Sequence, residues 1–95
     1  MATIEITPAG NDLYQVEIRD DQGSSTHEVT VPDGYADKVG AGHVSHQDLV
    51  RESVRFLLER EPRQQILSQF ALSDIQSYFP EYEDQIAGRL GGSTG

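Results

Sequence analysis

The sequence predicts an α+β domain: an N-terminal three-stranded antiparallel meander packed against a central amphipathic helix and short C-terminal helices. Three observations carry this. Residues alternate between apolar and polar through the first thirty positions, a capped amphipathic run starts at Ser45, and prolines at 62 and 80 divide the C-terminal third. Strands come first and helices after, the order expected of α+β rather than α/β chains.

The strands are read from period two. "TIEIT" sets Ile4 and Ile6 against Thr3, Glu5 and Thr7. "YQVEIR" sets Tyr14, Val16 and Ile18 against Gln15, Glu17 and Arg19, and "THEVTV" sets His27, Val29 and Val31 against Thr26, Glu28 and Thr30. Alternation of this kind marks half-buried strands with one face on a core and one in water. "PAGND" and "DDQGSS" separate them with residues suited to turns. Pro32-Asp33-Gly34 ends the third strand, and "YADKVGAGHV" reads as either a helical turn over 35–39 closed by Gly40 or a loop.

Ser45-x-x-Asp48 is an approximate capping box, in which the hydroxyl satisfies an orphan amide and the acid meets the helix dipole. On the helix that it opens, Leu49, Val50, Ser53, Val54, Phe56, Leu57 and Leu58 span an arc of roughly 200° at about 100° per residue. Asp48, Arg51, Glu52, Arg55 and Glu59 occupy the rest, with Asp48–Arg51 and Glu52–Arg55 spaced for pairs at i,i+3. The arc is wider than one sheet can cover. It requires either the C-terminal helices or a second copy of the chain on its flank.

Pro62 ends this helix and suits the first position of another, on which Ile66, Leu67 and Phe70 align. Ser73-Asp74-Ile75-Gln76 reads as a second capping box, opening a short helix with Ile75, Tyr78 and Phe79. Beyond Pro80, Tyr82, Ile86 and Leu90 suggest a last helix. Residues 1–90 are expected to form one domain, with 91–95, "GGSTG", as a flexible tail.

Composition narrows the function. Ninety-five residues suffice for one core, although the hydrophobic fraction is a modest 36% and Trp is absent. Without cysteine there are no disulfides, thiolate metal sites or Cys nucleophiles. "MATIEITP" lacks the basic and apolar runs of a secretory leader, and no stretch is apolar enough to span a bilayer, so a cytoplasmic location is expected. The net charge is −9, divided as −6 over residues 1–45, zero over 46–71 and −3 over 72–95. Such a field repels phosphate backbones, which disfavours nucleic acid as a partner.

Motifs that could carry chemistry are few. His43-x-x-His46 is the one metal-like spacing, but His43 precedes the helix cap and no third strong ligand stands near, so no metal site is expected. Gly40-Ala41-Gly42 lacks the lysine of a phosphate loop. Ser45, His46 and Asp48 are chain neighbours rather than a triad assembled from distant segments. The paired acids Asp20-Asp21 and Glu81 to Asp84 lie in polar runs. No catalytic residue and no cofactor are expected.

"EVTVPDGYADKVGAGHVSHQDLVRESVRFLLERE" resembles the ribbon-helix-helix family of DNA-binding regulators and antitoxins. That resemblance implies a dimer in which alternate residues of a strand, here Thr26, Glu28 and Thr30, read the major groove. "VRFLLEREP" followed by "ILSQFALSDIQSYFPEYEDQI" resembles a set of small bacterial proteins known only as conserved hypotheticals. It implies a compact α+β domain of the bacterial cytoplasm and supplies no activity. The expected function is a non-enzymatic protein-interaction or regulatory module, with a protein partner or a second copy as its ligand. Its contact residues are expected at Tyr78, Phe79 and Tyr82 and on the exposed helix face at Arg51 and Arg55. The alternative is a ribbon-helix-helix-like DNA-binding regulator or antitoxin.

Overall fold

The computed structural model describes residues 2–40 and 42–90. Strands β1 (Thr3–Gly10), β2 (Leu13–Asp20) and β3 (Gly23–Thr30) form the expected antiparallel meander. They run longer than the alternation alone indicated, because the turns are only two residues each. Asn11-Asp12 closes the first hairpin, with Asp12 at φ 58°, a left-handed conformation that Asp tolerates. Asp21-Gln22 closes the second, where the Asp20 carboxylate accepts a 2.8 Å hydrogen bond from the Gln22 amide.

The meander is not the whole sheet. A fourth strand, β4 (Gln69–Ala71), pairs parallel with β3, and the order is β1-β2-β3-β4. The sequence pattern places Ile66, Leu67 and Phe70 on a helix starting at Pro62. Instead Pro62 is extended, a single 3-10 turn covers Arg63–Gln65, and Ile66 returns to extended backbone. Tertiary hydrogen bonds decide this. The Glu28 amide donates to the Ser68 carbonyl at 2.8 Å, and His27 Nδ1 donates to the Leu67 carbonyl at 2.7 Å. An isolated helical turn has a costly nucleus and no comparable compensation.

Arg63, buried although charged, fixes the same segment from the other side. Its guanidinium donates to both Asp20 oxygens, at 3.0 and 3.3 Å, and so ties the turn before β4 to the β2–β3 hairpin. The bidentate geometry compensates the guanidinium for lost water.

Between β3 and β4 lie α1 (Tyr35–Lys38) and α2 (His46–Arg60). The ambiguous segment after Pro32 is thus helical for one turn, closed by Gly40 at φ 79°. Ser45 caps α2 as expected, its hydroxyl accepting from the Asp48 amide at 3.1 Å. Leu49, Val50, Ser53, Val54, Phe56 and Leu57 are buried, so the arc read from the sequence is the buried face. Its width is resolved within one chain. The sheet contributes Val16, Ile18, Val29 and Val31 to the core, while the C-terminal helices α3 (Leu72–Tyr78) and α4 (Tyr82–Arg89) supply the remaining cover. Phe56 packs edge-on against Phe79, at 5.9 Å between centroids, and Tyr82, at 5.3 Å.

α3 begins two residues earlier than a cap at Ser73 predicts. Its first residue is Leu72, and the Asp74 carboxylate reaches back to the Ala71 amide at 3.0 Å. The acid, not the serine, caps this helix. α4 is held to α1 through Glu83, which accepts from the Tyr35 hydroxyl at 2.9 Å and faces the Lys38 ammonium at 3.8 Å. Burial, reinforced by that acceptor, pushes the Tyr35 hydroxyl well above its ordinary pKa.

The hydrogen-bond parity of the sheet identifies its open edge. The Val31 amide donates to the Asp12 carbonyl, so even residues of β2 face β3 and odd ones face β1. Their partners in β1 are Thr3, Glu5 and Thr7, which leaves the backbone of Ile4 and Ile6 pointing outward. Arg51 of α2 donates to the Ile4 carbonyl at 3.1 Å. Pro8 falls in the same outward set, where it has no amide to offer.

This packing generates two tests. The Ser53 hydroxyl donates to the Leu49 carbonyl at 2.7 Å, so its single proton is committed and the Tyr82 hydroxyl, 2.6 Å away, must be the donor to it. Ser53→Ala strands a buried phenol and is expected to cost about 2 kcal/mol, against about 1 kcal/mol for Tyr82→Phe, with the double variant well short of the sum. Urea unfolding of the three variants measures this. The second test concerns Asp20, whose carboxyl is held below the usual range first by the Arg63 hydrogen bond and then by the Gln22 amide. A depressed folded-state pKa stabilises above the unfolded value near pH ~4 and is lost as pH falls through the folded value. The stability gap between wild type and Asp20→Asn should therefore be present at pH 7 and shrink below about pH 4.

Candidate functional site

The residues with potential for chemistry do not converge. His43 Nε2 lies 2.9 Å from the Leu90 carbonyl, while His46 Nδ1 lies 3.6 Å from Asp12 and its ring stands edge-on to Tyr14. The two imidazoles thus serve different partners. Among the described residues, no three His, Cys, Asp or Glu side chains gather as a metal site would require. A Cβ at Gly42 would meet only the exposed Asp37 carboxylate, which can swing aside. Among the described residues no helix is long and apolar enough to cross a membrane.

Several carboxylates sit below their usual pKa range because arginines donate to them. Arg89 and Arg60 act on Glu59, and Arg19 acts on Glu17. At Glu81 its own amide contributes most, followed by Arg60. These groups are exposed, and such pairs add little stability.

The concave feature of the surface lies where α2 ends, the chain turns toward β4, and α3 passes above. It is a half-open apolar cleft of about 340 Å³. Leu57 and Ile66 form its floor with Phe70 and Ile75, all buried. Its lips are Leu67 and Tyr78, 52% and 66% exposed, the large hydrophobic side chains left most open to water among the described residues. Glu61, Gln65 and Asp74 supply the polar part of the lining.

The cleft exists because the residues before β4 are extended. With His27 gripping the Leu67 carbonyl, Ile66 and Phe70 turn inward and Leu67 turns out. A carbonyl oxygen can only accept, so the His27 proton is assigned to Nδ1, and the Ser25 hydroxyl, 2.8 Å from Nε2, donates to that nitrogen.

The expected contact residues divide. Tyr78 stands at the lip and Phe79, half-buried, lines the wall. Tyr82 is fully buried against Phe56 and Ser53, and burial raises its hydroxyl pKa. It belongs to the core and offers no surface, which corrects its assignment as a contact. Arg51 is half-buried and engaged with the Ile4 carbonyl, and Arg55 pairs with Glu52 at 2.7 Å. Neither reaches the cleft.

Leu67, Glu61 and Asp74 line the cleft, and the sequence pattern did not single them out as site residues. A signal for Leu67 existed: Ile66, Phe70 and Leu72 lie in step at even positions, and Leu67 is the one large apolar residue out of phase.

Compared with protein-family models, curated proteins and solved structures, the chain matches none. The geometry of the cleft carries the functional reading.

Exposed lips should be dispensable to the fold. Leu67→Ser with Tyr78→Ser is expected to change stability by less than about 1 kcal/mol, whereas Phe79→Ala loses its contact with Phe56 and should cost about 2 kcal/mol. Thermal and urea unfolding distinguish the two.

Proposed function

We propose that this protein is a non-enzymatic interaction module of the cytoplasm, and that the apolar cleft is its docking site for another polypeptide. The observation that carries this reading is the concentration of exposed large side chains, Leu67 and Tyr78, on the lips of a well-formed apolar concavity. An exposed apolar patch of this kind, rimmed by polar groups, has no folding role and is characteristic of a contact surface. The floor is preformed by buried core residues, so a ligand's apolar side chain would displace water without reorganising the domain.

The ribbon-helix-helix alternative is less well supported. β3, which would carry Thr26, Glu28 and Thr30, lies inside the sheet between β2 and β4. A ribbon built from two copies of it would first have to displace a neighbour. The wide arc of α2, which left room for a second copy of the chain, is covered by α4.

Selection of a random displayed peptide library on the intact protein tests the docking role. Peptides are expected that lose at least about tenfold in affinity for the Leu67→Ser, Tyr78→Ser variant, about 1.4 kcal/mol of lost contact. Failure to recover any cleft-dependent peptide, together with salt-sensitive retention of duplex DNA, would sink the reading in favour of the regulator.

A further inference from the structure

Granted that the cleft docks a polypeptide, its electrostatics select the kind. We infer that the occupant is a foreign segment with a large apolar side chain and a lysine or arginine beside it, not a second copy of this chain.

The negative character of the cleft has three sources. Glu61 lines it and forms the C-cap of α2. The last carbonyls of α2 end at the same place and bring the negative pole of that helix. Asp74 lines it from α3, where one carboxylate oxygen is taken by the Ala71 amide at the helix N-terminus, so Glu61 is the freer of the two acids, and among the described residues no cation lies within ion-pair distance of either. The nearby arginines are committed elsewhere: Arg60 to Glu81 and Glu59, and Arg63 to Asp20. An apolar side chain entering between Leu67 and Tyr78 with a cation beside it would therefore meet the Glu61 carboxylate, which has no cation partner among the described residues. A segment with an acid in that position would be repelled, and this is how rim charges discriminate between partners.

A second copy fits poorly. Among the described residues the exposed large hydrophobics are Leu67 and Tyr78 themselves. A homodimer made through them would stack lip on lip, and would bring Glu61 and Asp74 of the two copies together. Each copy also carries a net charge of −9. The cleft offers a socket, and among the described residues the chain presents no matching plug.

The test uses the full chain and peptides recovered from the random library. The expected result is enrichment of Lys or Arg within two positions of an aromatic or aliphatic anchor, with binding that weakens as salt rises. Glu61→Gln should weaken these peptides by roughly two- to fivefold, the scale of one solvent-screened ion pair. Glu61→Arg should invert the preference toward acidic flanks. Because Glu61 holds its cap through the backbone amide, both variants are expected to unfold at nearly the wild-type urea concentration. Peptides that require Leu67 and Tyr78 but carry no positive charge would overturn this inference and leave the docking cleft standing. The absence of any cleft-dependent peptide would overturn both. A dimer in sedimentation velocity that Tyr78→Asp dissolves would overturn the choice of a foreign partner.

Discussion

A helix with an apolar arc of roughly 200° cannot be satisfied by one sheet, and that constraint organises the rest of this chain. The meander covers one side of α2, which leaves Ser53 and Phe56 in need of a second cover. α4 provides it, through the edge-on packing of Phe56 and Tyr82 and the hydroxyl chain from Tyr82 through Ser53 to Leu49. To bring α4 there, the chain must travel back across the end of α2. The return path is the 3-10 turn, β4 and α3. The cleft is the space left where that path bends.

The path is held by polar contacts rather than by its own propensity. Arg63 grips Asp20, His27 grips the Leu67 carbonyl, and Glu28 grips that of Ser68. All three are made to β3 or to the hairpin that feeds it. The site thus rests on the most regular part of the molecule, and a cleft with a preformed floor spends little ordering entropy on binding.

How much of this was legible depends on how far apart the interacting residues stand. The three strands and α2 were readable because alternation and the helical wheel are properties of neighbours, and the Ser45 cap is a contact across three residues. The segment from Pro62 to Ala71 is not legible from its neighbours because its conformation is fixed by residues some forty positions earlier, at Asp20, His27 and Glu28. The pattern Ile66, Leu67, Phe70 fits one helical face as well as it fits a short strand with an outward leucine. Of the candidate site, Tyr78 and Phe79 are suggested by the sequence as aromatics beside Pro80 with acids close by. Tyr82 could not be told from them, since it takes the same place in the run and only the position of Phe56 sends it inward.

The two edges of the sheet differ in a way that bears on how the molecule keeps to itself. On the β1 side, the Arg51 guanidinium occupies one outward carbonyl and Pro8 withholds one outward amide. An extended chain approaching there finds the ladder interrupted at two of its few rungs, which discourages the strand-by-strand stacking that seeds aggregates. The interrupted edge is β1, and the apolar cleft opens beside β4 at the other end of the strand order.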